Sequence, residues 1–120
     1  MRISAARDHL KQALEICAKV INAKSHREVL RCVKFEARNG KATLSTTDLE
    51  EWLSVEIEGA KIEAEGVAIL NFTELRLFVK DAGRSGDIGI ETDAALVKVS
   101  AEIAGSRISR SFKSWGLPHC

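Results

Sequence analysis

The sequence predicts an α+β domain of two pseudo-symmetric halves, each consisting of one strand, one helix and three further antiparallel strands. Three strand patterns follow one another in residues 29–59, and the dipeptide Asn39-Gly40 between the first two is typical of a type I′ hairpin turn, which requires positive φ at both positions. The same order of patterns is found in residues 1–59 and in residues 66–118. Because each half alone would leave an apolar sheet face uncovered, we expect both helices to lie side by side on one continuous antiparallel sheet.

The first half begins with a short strand predicted at residues 2–5 and a helix predicted at residues 6–21. The helix is predicted because apolar side chains recur at helical spacing and form one stripe, which consists of Leu10, Leu14, Cys17 and Ile21. Strands are then predicted at 29–38, 41–48 and 52–59. In the last of them apolar residues alternate with polar ones, which indicates a sheet with one buried face and one solvent-facing face.

The second half follows a charged segment, residues 60–65, which is predicted to bridge the two halves. A strand at 66–70 leads into a helix at 73–82, and Asn71, with Glu74 three residues later, is expected to cap the N-terminus of that helix. The remaining three strands are predicted at 87–92, 95–101 and 106–114.

The length and composition indicate a single globular domain. A chain of 120 residues can bury a substantial core and is too short for two conventional domains. No apolar run approaches the ~20 residues of a membrane-spanning helix, and the N-terminus lacks the pattern of a signal peptide, so we expect a cytoplasmic protein with no membrane partner. The net charge of +1 neither requires nor excludes nucleic acid, and a surface for DNA would have to arise from how the charges are distributed.

The sequence contains no recognisable catalytic motif. It has no HExxH motif, no nucleophile elbow and no phosphate-binding loop, so we expect neither an enzyme nor a cofactor. The three cysteines are odd in number and no pair has CxxC spacing, so no metal site is expected. Buried thiols are the predicted state of Cys17 and Cys32.

Residues 39–50, Asn-Gly-Lys-Ala-Thr-Leu-Ser-Thr-Thr-Asp-Leu-Glu, resemble the first domain of the bacterial sliding clamp, the β subunit of DNA polymerase III, in which a turn and a strand precede Thr-Asp-Leu-Glu. The resemblance covers nearly the whole chain in the right order. Further matching positions, in the family's first helix and at the end of its first domain, are His9-Leu10, Ala13-Leu14, Phe112 and Leu117-Pro118. Lys24 stands where the family has a DNA-contacting Arg, which keeps the charge but loses the planar guanidinium.

This resemblance implies a DNA-clamp fold. In the family, domains of this plan join edge to edge into a ring of six around duplex DNA, with basic helices lining the hole. Such a ring contacts phosphates without reading bases and supports processivity in DNA replication. Family clamps carry several domains per chain and this chain carries one, so it is either a stand-alone clamp-like protein or the first third of a longer one. The family's pocket for polymerase and repair enzymes lies in later domains, so that function is not carried over.

Two sets of candidate site residues follow. The DNA-facing candidates are the basic residues on or near the outer helix faces, namely Arg7, Lys11, Lys19, Lys24, Arg76 and Lys80; the alternative is that they are ordinary solvated residues. The oligomer-interface candidates lie on one face of the last strand, whose edge could pair with a neighbouring subunit, and are Ile108, Arg110 and Phe112. The alternative for Phe112 is a place in the core.

The sequence thus predicts a sliding-clamp-like processivity protein that encircles or tracks duplex DNA, assembled as a homo-oligomer of six copies. DNA polymerase, a clamp or a clamp loader are further candidate partners. An alternative is a monomeric clamp-related module that docks on a replication clamp or its loader and modulates replication. A third is a plain α+β domain with no role on DNA.

Overall fold

The fold contains two helices and nine strands within the residues that the computed structural model describes, which are 1–21, 31–47, 52–82, 86–93, 96–103 and 105–113. In chain order these elements are β1 (Arg2–Ala6), α1 (Arg7–Cys17), β2 (Cys32–Arg38), β3 (Lys41–Thr47), β4 (Trp52–Glu56), β5 (Lys61–Ala64), β6 (Gly66–Asn71), α2 (Phe72–Asp81), β7 (Asp87–Asp93), β8 (Leu96–Ile103) and β9 (Ser106–Lys113). The predicted α+β class and the strand–helix–three-strand order of both halves are confirmed.

The strands form two antiparallel sheets, so the prediction of one continuous sheet is wrong. The five-stranded sheet has the order β5-β1-β7-β8-β9 and the four-stranded sheet the order β4-β3-β2-β6. The reason is an exchange of strands: β1 opens the first half but pairs with β7 of the second, where Ile3 lies opposite Ile90. Likewise β6 opens the second half but pairs with β2 of the first, where Ala68 lies opposite Phe35.

The charged segment between the halves is not a simple bridge, because it contains strand β5. This strand pairs with β1 and places Ile62 opposite Ile3. Ile62 is partly buried against the core, while Lys61 and Glu63 on either side of it are exposed. A single apolar residue between charges is a weak strand pattern, and pairing with β1 supplies what the pattern lacks.

The hairpin between β2 and β3 has the predicted turn. Asn39 and Gly40 have φ of 55° and 78°, and Arg38 pairs with Lys41 on either side of them. The backbone N–H of Asn39 also donates a hydrogen bond of 2.6 Å to Glu65 Oε2, which fixes the hairpin tip to the segment before β6. The turn at Asn39-Gly40, which the sequence predicts, therefore fixes which residues of β2 and β3 lie opposite each other.

One continuous core joins the helices to both sheets. The helix α1 contacts β1 and β7 of one sheet and β3 and β4 of the other, and α2 packs beside it. The predicted stripe of α1 is buried at Leu10, Leu14 and Cys17, although the helix ends at Cys17 and not at residue 21. The predicted cap of α2 is confirmed, because the Asn71 side chain accepts a 3.0 Å hydrogen bond from the N–H of Glu74.

Two of the cysteines, Cys17 and Cys32, differ in their chemical state. Cys17 is a buried free thiol as predicted, and burial raises its pKa to about 11, so that it is not a nucleophile at neutral pH. Cys32 is buried but disulfide-bonded, so the prediction of a thiol there is wrong.

Within the described ranges no cluster of His, Cys, Asp and Glu could hold a metal ion, and no helix is long and apolar enough to cross a membrane.

Arg7 ties the two helices together. Its Nε donates a 3.2 Å hydrogen bond to the carbonyl oxygen of Val79 near the end of α2, and its side chain is 16% exposed. Its Nη1 lies 3.5 Å from Asp8 Oδ1, and its backbone N–H donates to Gly86 O at 3.0 Å. The spacing between the helices therefore depends on this side chain.

We predict that Gly40→Ala lowers the free energy of unfolding by about 1–2 kcal/mol, because a Cβ is disfavoured at positive φ. Gly86→Ala is the matched control, since Gly86 lies outside the positive-φ region and a Cβ there would meet no atom within 4 Å. Urea denaturation of both variants checks this. Equal losses in the two would contradict the role given to the turn.

We predict that Arg7→Met lowers the free energy of unfolding by about 1–3 kcal/mol, because the variant keeps the packing of the side chain but loses a charged hydrogen bond to a part-buried carbonyl. Lys11→Met, at an exposed position one turn further along α1, is expected to change it by less than about 0.5 kcal/mol. Urea denaturation measures both, and a similar effect of the two substitutions would show that Arg7 does not join the helices.

Candidate nucleic-acid interface

A groove of about 620 Å³ runs between α1 and α2 on the side of the helices away from the sheets. Its lining is apolar where the helices meet and charged at the rim. The apolar residues are Leu14, Phe72, Leu77 and Val79, and the charged ones are Lys11, Glu15, Arg76 and Lys80. Three of the six predicted DNA-facing residues thus come together at one place.

The three rim cations are available for a ligand. Lys11, Arg76 and Lys80 are exposed, and none of them forms a salt bridge with any residue in the described parts of the chain. The guanidinium carbon of Arg76 lies 5.7 Å from the centroid of the Phe72 ring, which limits the freedom of that side chain. Against these three positive charges the groove has one acid, Glu15.

On the outer face of the five-stranded sheet, in contrast, one cation forms salt bridges. Arg2 lies between two carboxylates, with Nη2 3.1 Å from Glu91 Oε1 and Nη1 3.6 Å from Glu63 Oε2. The hydrogen bond from Arg2 and its charge hold the pKa of Glu91 below its usual value. Lys98 and Arg107 on the same face form no salt bridge within the described residues, so that face offers two such cations against three in the groove and is the weaker candidate for an anionic ligand.

The other three DNA candidates do not line the groove. Arg7 is mostly buried and holds the helices together, so its guanidinium is occupied within the domain. Lys19 is exposed in the turn that follows α1. Lys24 lies outside the described residues.

The predicted interface strand, β9, is the outermost strand of its sheet among the described residues. Phe112 is 5% exposed and belongs to the core, as the alternative for this residue proposed. Ile108 and Arg110 share its face of the strand but are exposed, although they lie opposite the buried Ala101 and Val99 of β8. The guanidinium carbon of Arg110 lies 5.4 Å from the centroid of the Phe112 ring. The inner face of β9 is therefore covered at one end only.

Sequence reasoning missed Leu77, which is 48% exposed and lines the groove. It lies off the buried stripe of α2, between the exposed Arg76 and the buried Phe78. The available signal was an apolar residue out of phase with that stripe. Trp52, on the edge strand β4, is also exposed, at 62%.

Comparison with solved structures shows the same domain architecture in bacterial sliding clamps. DNA polymerase III beta subunit from Thermotoga maritima superposes with a TM-score of 0.84 at 17% identity, over 98% of this chain and 30% of that one. The pol III beta protein of Caulobacter crescentus gives 0.83 at 20% identity, over 98% and 30%. The DNA polymerase sliding clamp from Bacillus subtilis gives 0.83 at 17% identity, over 100% and 33%.

No protein-family model and no curated protein sequence matches this chain. The identities to the solved clamps are low, so the likeness is one of fold, and the chain spans about a third of their length. An α+β domain of two helices and two antiparallel sheets is what the structures share. The chain therefore has the fold of a single domain of the bacterial DNA polymerase III beta sliding clamp.

Proposed function

We propose that this protein is a clamp component that encircles or tracks duplex DNA without sequence specificity and acts by topology, not by catalysis. The observation that carries the proposal is the set of exposed cations Lys11, Arg76 and Lys80 around the groove between the two helices, which form no salt bridge within the part of the chain that the structure describes. The fold likeness to sliding clamps supports it, since the matched proteins are a DNA polymerase III beta subunit and a DNA polymerase sliding clamp. The place of action would be the cytoplasm, in DNA replication.

The groove cations suit a loose contact with phosphates. Two of the three stand one helical turn apart on α2 and the third on the neighbouring helix, so they lie along both sides of the groove. Long, exposed basic side chains attract a polyanion through counterion release and carry no information about bases. Binding of this kind weakens steeply with salt.

A ring would require several copies of this chain, because one domain spans about a third of a solved clamp. We place the contact with a neighbouring subunit at the edge strand β9. Its inner face is covered at one end only, because Ile108 and Arg110 are exposed whereas Phe112 is buried. An unpaired strand edge can extend its sheet into a second chain. Head-to-tail joining of this type closes into a ring when the rotation permits, and six copies are the expected number.

The second candidate function is a monomeric module that docks on a replication clamp or its loader. Leu77, exposed at 48% among the groove cations, favours it, because an apolar side chain adds little to the binding of phosphates. Under this proposal DNA polymerase, a clamp or a clamp loader would be the partner, and the protein would not hold DNA itself.

We predict a closed homo-oligomer in solution, and replacement of Ile108 by Asp should dissociate it, because the change puts a carboxylate into the proposed contact. Light scattering behind a sizing column at micromolar concentration and moderate salt gives the native mass. Val67→Asp is the matched control, since Val67 and Ile108 are both 37% exposed and Val67 lies on β6 of the other sheet. A monomer for the unsubstituted chain at every concentration would rule out the self-assembled ring and favour the docking module.

We predict that the triple variant Lys11→Glu, Arg76→Glu, Lys80→Glu loses retention on circular duplex DNA by a factor of about a hundred or more at low salt, because it removes three phosphate contacts and adds three repulsive charges. The matched control is Lys34→Glu, Lys61→Glu, Lys98→Glu, which changes the net charge equally on the outer sheet faces. Gel filtration of protein with circular and with linearised DNA measures retention. Equal retention by the two triple variants would exclude the helix face as the DNA surface.

A further inference from the structure

The groove between α1 and α2 combines two chemistries that duplex DNA alone does not use. Leu77 on its wall is 48% exposed and is its main apolar surface, while Leu14, Phe72 and Val79 beneath it are buried in the core. Phosphates interact with the rim cations but gain nothing from an exposed leucine. The groove, of about 620 Å³, has room for apolar side chains of a partner against Leu77.

The rim decides the charge of the occupant. Lys11, Arg76 and Lys80 carry no salt bridge within the described ranges, and Glu15 is the one acid among the lining residues. A neutral apolar occupant would cover these cations without pairing them, and covering an unpaired charge is costly. Carboxylates placed on either side of an apolar stripe would pair with them.

The shape of the groove decides the conformation of the occupant. It lies between two packed helices whose separation is fixed by the hydrogen bond from Arg7 to Val79. A groove between two packed helices can accept the apolar face of a third helix, with anchors at i, i+3, i+4 and i+7. The stacking of Arg76 on Phe72 holds one rim cation near the groove before any partner arrives.

We propose that the α1–α2 groove binds an acidic amphipathic helix of a partner protein, whose apolar residues pack on Leu77 and whose carboxylates pair with Lys11, Arg76 and Lys80. The site goes beyond the proposed DNA role and does not depend on it. The two ligands would share the rim cations, so an acidic helix in the groove and DNA on the helix face exclude each other. The partner would therefore act as a regulator that competes with DNA.

The test uses the full chain and a fluorescein-labelled peptide of about four helical turns, with Leu at i, i+3, i+4 and i+7 and Glu at the flanking positions. A second peptide carries Lys in place of every Glu. Fluorescence anisotropy should show the acidic peptide binding at least about tenfold more tightly than the basic one. Equal affinity of the two peptides would overturn the proposal.

Substitutions of two leucines with the same exposed fraction, Leu77 and Leu96, locate the site. Leu77→Asp should weaken binding of the acidic peptide by about tenfold or more, and Leu77→Met should leave it unchanged. Leu96→Asp is the matched control, because Leu96 is also 48% exposed but lies on β8 outside the groove. The assignment would be overturned if Leu96→Asp weakened peptide binding equally, or if Leu77→Asp did not weaken it. A change in native mass with Leu77→Asp alone would also overturn it, because it would mean that the groove holds a second copy of this chain.

The outcome is separable from that of the DNA experiment. If the acidic peptide binds while circular DNA is not retained, the groove stands and the DNA role falls. If DNA is retained while neither peptide binds, the DNA role stands and the proposed helix-binding site in the groove falls. Displacement of bound acidic peptide by duplex DNA is expected when both are correct, and simultaneous binding without loss of anisotropy would contradict the shared site.

Discussion

The exchange of opening strands between the two halves is the constraint on which the rest of the structure depends. Because β1 pairs with β7 and β6 pairs with β2, neither half has a complete sheet of its own. The helices that follow β1 and β6 start directly at the ends of those strands, so the exchange also brings α1 and α2 next to each other. The groove, its cations and its exposed leucine are consequences of that placement.

The two faces of the domain differ in how their charges are used. On the sheet side, the charge of Arg2 is paired with Glu63 and Glu91, although Lys98 and Arg107 on that face form no salt bridge within the described residues. On the helix side, Arg7 is held within the domain by its hydrogen bond to Val79, whereas the groove cations form no salt bridge among the described residues. The helices α1 and α2 each carry two basic and two acidic residues, so the excess of positive charge is local to the groove rim. An anionic ligand of the helix face, DNA or an acidic helix, is proposed from that local excess.

The sequence predicts local features well and long-range pairing poorly. The Asn39-Gly40 turn, the Asn71 cap and the buried stripe of α1 each follow from a local rule, and the structure confirms all three. The separation into two sheets depends on which distant strands pair, and no local pattern specifies that. For the same reason the sequence indicates Lys11, Arg76 and Lys80 as basic surface but not the groove between them, nor the hydrogen bond that holds Arg7 to Val79. Exposure at Leu77 depends on the neighbouring helix.

The pairing of β1 with β7 also determines when the chain can fold. The carbonyl of Met1 accepts a hydrogen bond from the N–H of Thr92, a residue 91 positions away. During synthesis the β2–β3–β4 hairpins can form early, because their contacts are local, and β1 can pair with β5 before β7 has left the ribosome. Until β7 follows, the edge of β1 that pairs with it stays open. A chaperone that covers open strand edges and apolar segments is therefore expected to raise the yield of folded protein.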